Sequence, residues 1–307
     1  MTHAGYQIDL VEAGRLALDG GAMFGIVPRP LWERHIAPDA QNRIPLAMRC
    51  LLLRGHGRTI LVDTGMGHKA DDAFRRIYAV DHAHSALGPS LAALGVAPTD
   101  VTDVFLTHLH FDHGGGVTGR SEQAGDGPAG DSAAGDSAAG DGPAGSLHLV
   151  FPEAAHHVQQ RHWDWAHASA RESASFLAEN LDPLAASGRL VLHDGPGAPF
   201  PGAETVVVDG HTRGQQLLLV HGDDGTLFYP ADLVPTSAHV PLLWGMAYDV
   251  EPLVTIDEKR RLLARAADEA WTLVFEHDPA VATARVEATA KGMRAVDRRA
   301  GLGDSPG

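Results

Sequence analysis

Nine residues decide how this chain folds: HLHFDHGGG at 108–116, directly after the apolar run DVFLT at 103–107. Because side chains at positions i and i+2 of an extended segment point to the same side, His108 and His110 can share one metal ion. The turn that follows directs Asp112 and His113 towards a second ion, and the three glycines permit that turn without Cβ clashes. Closely packed imidazoles and a carboxylate in an apolar setting are costly without a cation. The stretch therefore predicts a metal site.

Three further ligand candidates each follow a predicted strand: His211 after TVVV, Asp232 after TLFY and His277 after WTLVF. With these residues in this order, the chain resembles the metallo-β-lactamase superfamily over roughly residues 20–280. The resemblance implies an α/β (α+β) fold, a four-layer αββα sandwich of two mixed β-sheets flanked by helices. It also implies two ions, one held by His108, His110 and His211, the other by Asp112, His113 and His277, with Asp232 bridging. Asp63 in VDTG would support a ligating His, or is a simple strand-end turn residue.

This ligand set indicates a reaction class. Two cations about 3.5–4 Å apart lower the pKa of a bridging water and polarise a carbonyl or phosphoryl oxygen. We therefore expect hydrolysis by a metal-bridging hydroxide, with Asp112 as the catalytic residue that orients it and returns its proton to the leaving group. Nitrogen and oxygen ligands favour two divalent ions per chain, Zn²⁺ first, with Mn, Fe or Co as alternatives.

Two apolar segments, residues 22–32 and 235–249, predict a wall for acyl or aromatic groups. The candidate substrate contacts are Met23, Phe24, Phe111, Trp244 and Tyr248. Ordinary loop packing or a dimer contact is the alternative. The two segments resemble those of the N-acyl homoserine lactonases and of the methyl parathion hydrolase relatives.

The second resemblance implies a quorum-quenching lactonase that opens the ring of N-acyl homoserine lactones. A promiscuous arylesterase or phosphotriesterase is the alternative, and a non-catalytic, metal-stabilised binding protein is a further one. Some lactonases place a Tyr shortly after the bridging Asp, where this chain has Leu233-Val234-Pro235. This departure bears on lactone specificity rather than on hydrolysis.

The charge composition of the chain excludes some classes of binding partner. Lys and Arg number 24 against 39 Asp and Glu, and the net charge of −15 argues against nucleic acid or an anionic membrane as partner. A small-molecule ester or lactone is the expected partner, with a homodimer through the apolar N-terminal segment. Cys50 is the single cysteine, so no intramolecular disulfide is expected, and its apolar neighbours predict a buried thiol. The N-terminus lacks a signal-peptide pattern, which predicts the cytoplasm.

The chain organisation is predicted as one domain, 1–307, with a disordered insertion at about 121–146. GDGPA and GDSAA units fill that insertion, and they offer too little apolar surface to offset the entropy of ordering. A hairpin is expected across 48–63, a frayed tail over 300–307, and helices at 152–166, 171–186 and 257–270, among others. The remaining histidines are all expected at the surface, among them His56, His68, His156, His157 and His162.

Overall fold

Two large β-sheets form the centre of the computed structural model, which describes residues 1–121, 145–223 and 225–303. The strands are β1 (Thr2–His3), β2 (Tyr6–Asp19), β3 (Arg43–Gly55), β4 (Arg58–Val62), β5 (Asp103–Phe105), β6 (Thr118–Arg120), β7 (Leu147–Leu149), β8 (Ala155–Gln159), β9 (Leu190–His193), β10 (Ala203–Val208), β11 (Gln215–Gly222), β12 (Gly225–Tyr229), β13 (Thr272–Val274), β14 (Thr283–Thr289) and β15 (Gly292–Arg299). The helices are α1 (Gly20–Phe24), α2 (Arg29–Trp32), α3 (Asp72–Tyr78), α4 (Leu87–Ala93), α5 (Phe111–Gly114), α6 (Gln160–Ala168), α7 (Ala178–Ala186) and α8 (Pro252–Asp268). Short 3₁₀ turns lie at Pro98–Asp100, Gly115–Val117, Ala231–Leu233 and Ser237–His239.

The first sheet has the order β1-β2-β3-β4-β5-β8-β9, and the second has the order β10-β11-β12-β13-β14-β15. Each contains both parallel and antiparallel pairs, for example β4 parallel to β5 and β3 antiparallel to β4. β6 and β7 form a separate two-stranded sheet.

Successive side chains of β3 point to opposite faces of the first sheet, and they show how the layers are built. Leu51 and Leu53 join the apolar core between the two sheets, whereas Cys50 and Leu52 join the core beneath the outer helices. α4, α6 and α7 contribute to that outer core, and α8 packs its buried face against the second sheet. The order helix, sheet, sheet, helix confirms the expected four-layer sandwich, and Cys50 is buried as predicted.

The hairpin of β3 and β4 is also as predicted. Gly55 pairs with Arg58, so His56 and Gly57 are the two turn residues. Both have positive φ, 52° and 72°, as the two central residues of a type I′ hairpin turn require.

Two predicted helices differ from the structure. Within the predicted helix 152–166, residues 155–159 form strand β8, and helix α6 begins only at Gln160. β8 lies between β5 and β9 as a parallel strand, so its place in the sheet overrides the helical propensity of its Ala and Gln residues. Likewise, 171–177 is not helical, and α7 begins at Ala178. The sequence patterns also did not predict the strands β1, β2, β6, β14 and β15.

The histidine prediction was partly wrong. His156, His157 and His162 are buried rather than at the surface, because β8 places the first two inside the first sheet and α6 places the third beside the candidate ligands. His3 and His239 are buried as well. His56 and His68 are exposed as expected. Of the predicted insertion, 122–144 lies outside the described residues, as does 304–307 of the predicted tail. No helix in the described ranges has the length and apolarity to cross a bilayer.

Candidate metal centre

The candidate ligands are carried by loops that leave the strands at one edge of the sandwich. β5 leads into the loop with His108 and His110, and its parallel neighbour β4 leads to Asp63. In the second sheet, β12 and its parallel neighbour β13 lead to Asp232 and His277. Parallel strands end at the same edge, so residues distant in sequence come together here.

One group of side chains gathers around His110. The Nε2 atom of His108 lies 3.1 Å from Nδ1 of His110, and Nε2 of His211 lies 3.3 Å from the same nitrogen. The Oδ2 atom of Asp232 is 3.2 Å from Nε2 of His211. These four buried residues offer ligand atoms close enough together to hold one ion.

A second group lies on the other side of Asp232. The Nε2 atoms of His113 and His277 are 3.1 Å apart, and the Asp112 carboxylate lies 3.8 Å and 3.7 Å from them. Oδ1 of Asp232 is 3.2 Å from Nε2 of His277, and Oδ2 is 3.4 Å from Nε2 of His113, so the Asp232 carboxylate contacts both groups. The seven side chains therefore form two adjoining clusters with Asp232 between them.

The hydrogen bonds of the five rings show that these clusters fit cations. In each ring the nitrogen that points away from the cluster faces an oxygen. The partners are Thr107 Oγ1 for His108, Glu172 for His110, Asp63 and Glu276 for His113, Asp249 for His211 and the Ala47 carbonyl for His277. A neutral ring that donates outwards presents a lone pair inwards. Five lone pairs and two carboxylates would repel one another without positive charge, and this donor set suits two divalent ions.

Three of those outer carboxylates were not identified from the sequence. Glu172 accepts from His110 at 2.9 Å, and Asp249 accepts from His211 at 3.1 Å. Burial raises the pKa of Glu172, but the hydrogen bonds from His110, Thr212 and Trp165 and the attraction of the His110 ring together outweigh burial and lower the pKa to about 2. Glu276 directly precedes the candidate ligand His277, which was a usable signal. Glu172 and Asp249 had none, because they lie 62 and 38 residues from their partners.

Asp63 lies where a supporting carboxylate is expected. Its Oδ2 is 3.3 Å from Nδ1 of His113 and accepts the Thr107 hydroxyl at 2.6 Å. Its Oδ1 accepts the Thr107 backbone N–H at 2.7 Å. Asp63 has a φ of 57°, an uncommon conformation outside glycine that is maintained here by these contacts.

Two glycines of the motif also permit a close contact between backbone segments. A Cβ atom on Gly115 would lie 2.5 Å from the Met66 carbonyl oxygen, and one on Gly116 would lie 2.3 Å from that of Thr64. Both positions thus permit close approach to the loop after β4. This packing holds the motif against Asp63.

A cavity of about 310 Å³ opens over the two clusters. Met23, Phe111 and Tyr248 line it, together with Leu18, Tyr78, Arg171, Ser175 and Met246. Phe24 and Trp244, expected to contact substrate, are not among its lining residues. The Phe24 ring packs between Trp32 and His239, and Trp244 packs edge-on against Phe24, so both serve the core of these loops.

Comparison with known proteins agrees with this architecture. The sequence model of the metallo-β-lactamase superfamily matches residues 45–277. A probable metal-dependent hydrolase from Staphylococcus aureus is 27% identical, with 96% of this chain and 98% of that chain covered and a TM-score of 0.81. AidC, a dizinc quorum-quenching lactonase solved with a product, N-hexanoyl-L-homoserine, is 20% identical, with 96% and 95% covered and a TM-score of 0.74.

A further solved structure, the hydrolase AbOPH of the beta-lactamase superfamily, is 17% identical, with 96% of this chain and 95% of that chain covered and a TM-score of 0.70. The family match spans more than half of the chain and includes all seven candidate ligands. This chain therefore belongs to the metallo-β-lactamase superfamily and is a metal-dependent hydrolase.

Proposed function

We propose that this hydrolase opens the ring of N-acyl homoserine lactones and so acts in quorum quenching. The observation that carries the proposal is the cavity, which combines a floor of metal-binding groups with an apolar and aromatic wall. Asp112, Asp232 and His277 belong to the floor, while Met23 and Tyr248 belong to the wall. A lactone ring would lie over the floor, and an acyl chain would lie along the wall. Lactonases with bound product among the structural neighbours support this choice.

The seven ligand residues would hold two divalent ions, which when bound lower the pKa of water and polarise a carbonyl oxygen. Asp112 is proposed as the catalytic residue. Its carboxylate lines the cavity and lies beside both His113 and His277, so it can hold a proton and pass it to the leaving alkoxide. Zn²⁺ is the proposed ion, since imidazole nitrogens and carboxylate oxygens suit it.

The aromatic residues that line the cavity favour one second candidate. Tyr78, Phe111 and Tyr248 line it, and the ring of Tyr78 packs against that of Phe111 with centroids 5.2 Å apart. Such a surface would also accept an aryl leaving group. An arylesterase or phosphotriesterase is therefore the alternative function.

A hydrolysis panel separates these candidates. The metal-replete protein is assayed with homoserine lactones of short and long acyl chains, an aryl ester, a phosphotriester and a β-lactam. We expect kcat/KM for lactones to exceed the other values by at least tenfold, about 1.4 kcal/mol of transition-state stabilisation. Faster turnover of the aryl ester or phosphotriester would favour the alternative. No turnover of any of these substrates would contradict both candidates and place the substrate of this hydrolase outside the panel.

We also propose a homodimer and a cytoplasmic location. The dimer follows from the apolar N-terminal segment, where Ile26 and Leu31 are exposed. Light scattering after size-exclusion chromatography tests the dimer, and a mass near 32.4 kDa would contradict it.

Fractionation of the source cells tests the proposed cytoplasmic location.

A further inference from the structure

Lys259 is a buried cation outside the metal centre. It lies on α8 with 1% of its surface exposed. Its Nζ donates to three backbone carbonyl oxygens, those of His239 at 2.6 Å, Pro241 at 3.0 Å and Trp244 at 2.8 Å. Burial lowers the pKa of this ammonium group to about 7, because removing charge from water is costly. Three oxygens match the three N–H groups and offset part of that cost.

All three acceptors belong to one irregular segment between the bridging Asp232 and the outer carboxylate Asp249. This segment, residues 236–249, has only a short 3₁₀ turn at Ser237–His239. Backbone carbonyl groups in such a segment have no helix or sheet hydrogen bonds. The Lys259 ammonium group, which donates to three of them, therefore fixes the backbone conformation of the segment.

One end of the segment controls part of the cavity wall. The Nε2 atom of His239 donates to the Met23 carbonyl oxygen at 2.8 Å. The His239 ring stacks on Phe24, with centroids 4.6 Å apart and planes 4° from parallel. Met23 lines the cavity, so the contact from Lys259 to His239 extends to the apolar wall.

The other end of the segment controls a metal ligand. Beyond Trp244, the backbone N–H of Met246 donates to Oδ2 of Asp249 at 3.2 Å. The Oδ1 atom of Asp249 faces Nδ1 of His211 at 3.1 Å. The backbone N–H of Ala247 donates to the Ala22 carbonyl oxygen at 2.8 Å, which joins this end to the wall as well.

We propose that Lys259 is a positioning residue that sets both the orientation of His211 and the apolar wall around Met23 and Met246. The identity of the substrate at that wall rests on the proposed function. The link to His211 does not, since it concerns metal binding alone.

Metal binding and hydrogen exchange test the link to His211. Lys259→Met keeps the length of the side chain and removes its three donors, and Lys291→Met is the matched control because Lys291 is exposed. We expect the first variant to lose one of two zinc equivalents to a chelator at about tenfold lower chelator concentration, since outer partners of a ligand affect affinity. Backbone amides of 236–249 should exchange faster in that variant alone. Wild-type zinc affinity with only a lower Tm would overturn the proposal and leave Lys259 a structural residue.

A second variant separates the two branches and guards against misfolding of the first. His239→Phe keeps the stacking on Phe24 but removes the hydrogen bond to Met23. It should raise KM for long-chain acyl substrates by roughly tenfold, with little change in kcat or zinc affinity, because only the wall moves. Lys259→Arg should recover part of the zinc affinity and KM. Unchanged KM in His239→Phe would overturn the link to the wall. Absence of any lactone turnover would contradict the proposed function, while the zinc and exchange results would still decide the role of Lys259.

Discussion

The Nε2 atom of His162 accepts the backbone N–H of Leu109 at a distance of 2.8 Å. Its other ring nitrogen, Nδ1, donates to the Arg213 carbonyl oxygen at 2.8 Å. Leu109 lies between His108 and His110, and Arg213 lies two residues after His211. The His162 ring therefore joins the two loops that carry His108, His110 and His211, here called the three-histidine cluster. Burial lowers the pKa of His162 to about 3, so the ring stays neutral and can both donate and accept at ordinary pH.

We predict that His162→Leu weakens zinc binding at the three-histidine cluster. Both loops lose a hydrogen bond, and loss of such support typically reduces metal affinity by about 10- to 100-fold. Zinc titration against a chromophoric chelator measures the effect. His167→Leu, an exposed change on the same helix, should bind zinc like the wild type. Equal affinity in both variants would contradict the role of His162.

The second prediction concerns metal content. The seven converging ligands predict two metal equivalents per chain by elemental analysis. Chelation should lower Tm, because an ion at 100 times its Kd stabilises the folded state by about 2.7 kcal/mol and unscreened ligands repel one another. Added zinc should restore Tm. One equivalent at saturation would rule out the dinuclear site.

Asp112→Asn should lower kcat by at least roughly 10²-fold, because an amide cannot take up or return a proton as a carboxylate does. Metal content must be measured on the same sample, so that loss of a ligand is distinguished from loss of proton transfer. Asp164→Asn is the control, since Asp164 is exposed on α6. A variant with two bound ions and wild-type kcat would refute the catalytic role of Asp112.

The buried His156 makes stability depend on pH. Burial lowers its pKa to about 4, whereas a histidine in the unfolded chain titrates near 6.5. Below pH 6.5, His156 therefore binds a proton in the unfolded chain but not in the folded chain. The free energy of unfolding decreases as the pH is lowered. Between pH 7 and 5 this group removes about 2 kcal/mol from the free energy of unfolding.

His156→Leu should lose about 2 kcal/mol less than the wild type over that pH range. Urea unfolding of metal-free samples at both pH values measures the difference. His167→Leu should follow the wild type, since its ring is exposed. Parallel losses in all three proteins would mean that His156 is protonated in the folded state.

The fifth prediction concerns residues 122–144. Their neighbours are already joined: Arg120 pairs with Leu147, and the Ser121 backbone N–H donates to the Ser146 carbonyl oxygen at 2.9 Å. Replacing 122–144 by a short Gly-Ser linker should therefore leave Tm and kcat/KM nearly unchanged, as low-complexity composition suggests. A large drop in either quantity would show that the segment contributes to the fold or the site.

The sequence alone indicated the candidate ligands and predicted much of the architecture. His108, His110, Asp112 and His113 lie within six residues, so local spacing is sufficient to recognise them. The continuous apolar run at residues 50–53 in β3 and the two-residue turn after β3 are also local features. Such signals involve only neighbouring residues, and they do not depend on what packs against them.

Only the tertiary structure decided the conformation of β8 and the hydrogen-bond partners of the candidate ligands, because both depend on residues distant in sequence. β8 is a strand because it lies between two parallel strands, although the sequence patterns predicted a helix over 152–166. Glu172 and Asp249 became partners of His110 and His211 only when segments 62 and 38 residues away folded against them. Lys259 shows the same dependence, since its three acceptors are backbone oxygens with no sequence pattern of their own. Burial, and the requirement that every buried donor meet an acceptor, assigned these roles, and both exist only in the folded chain.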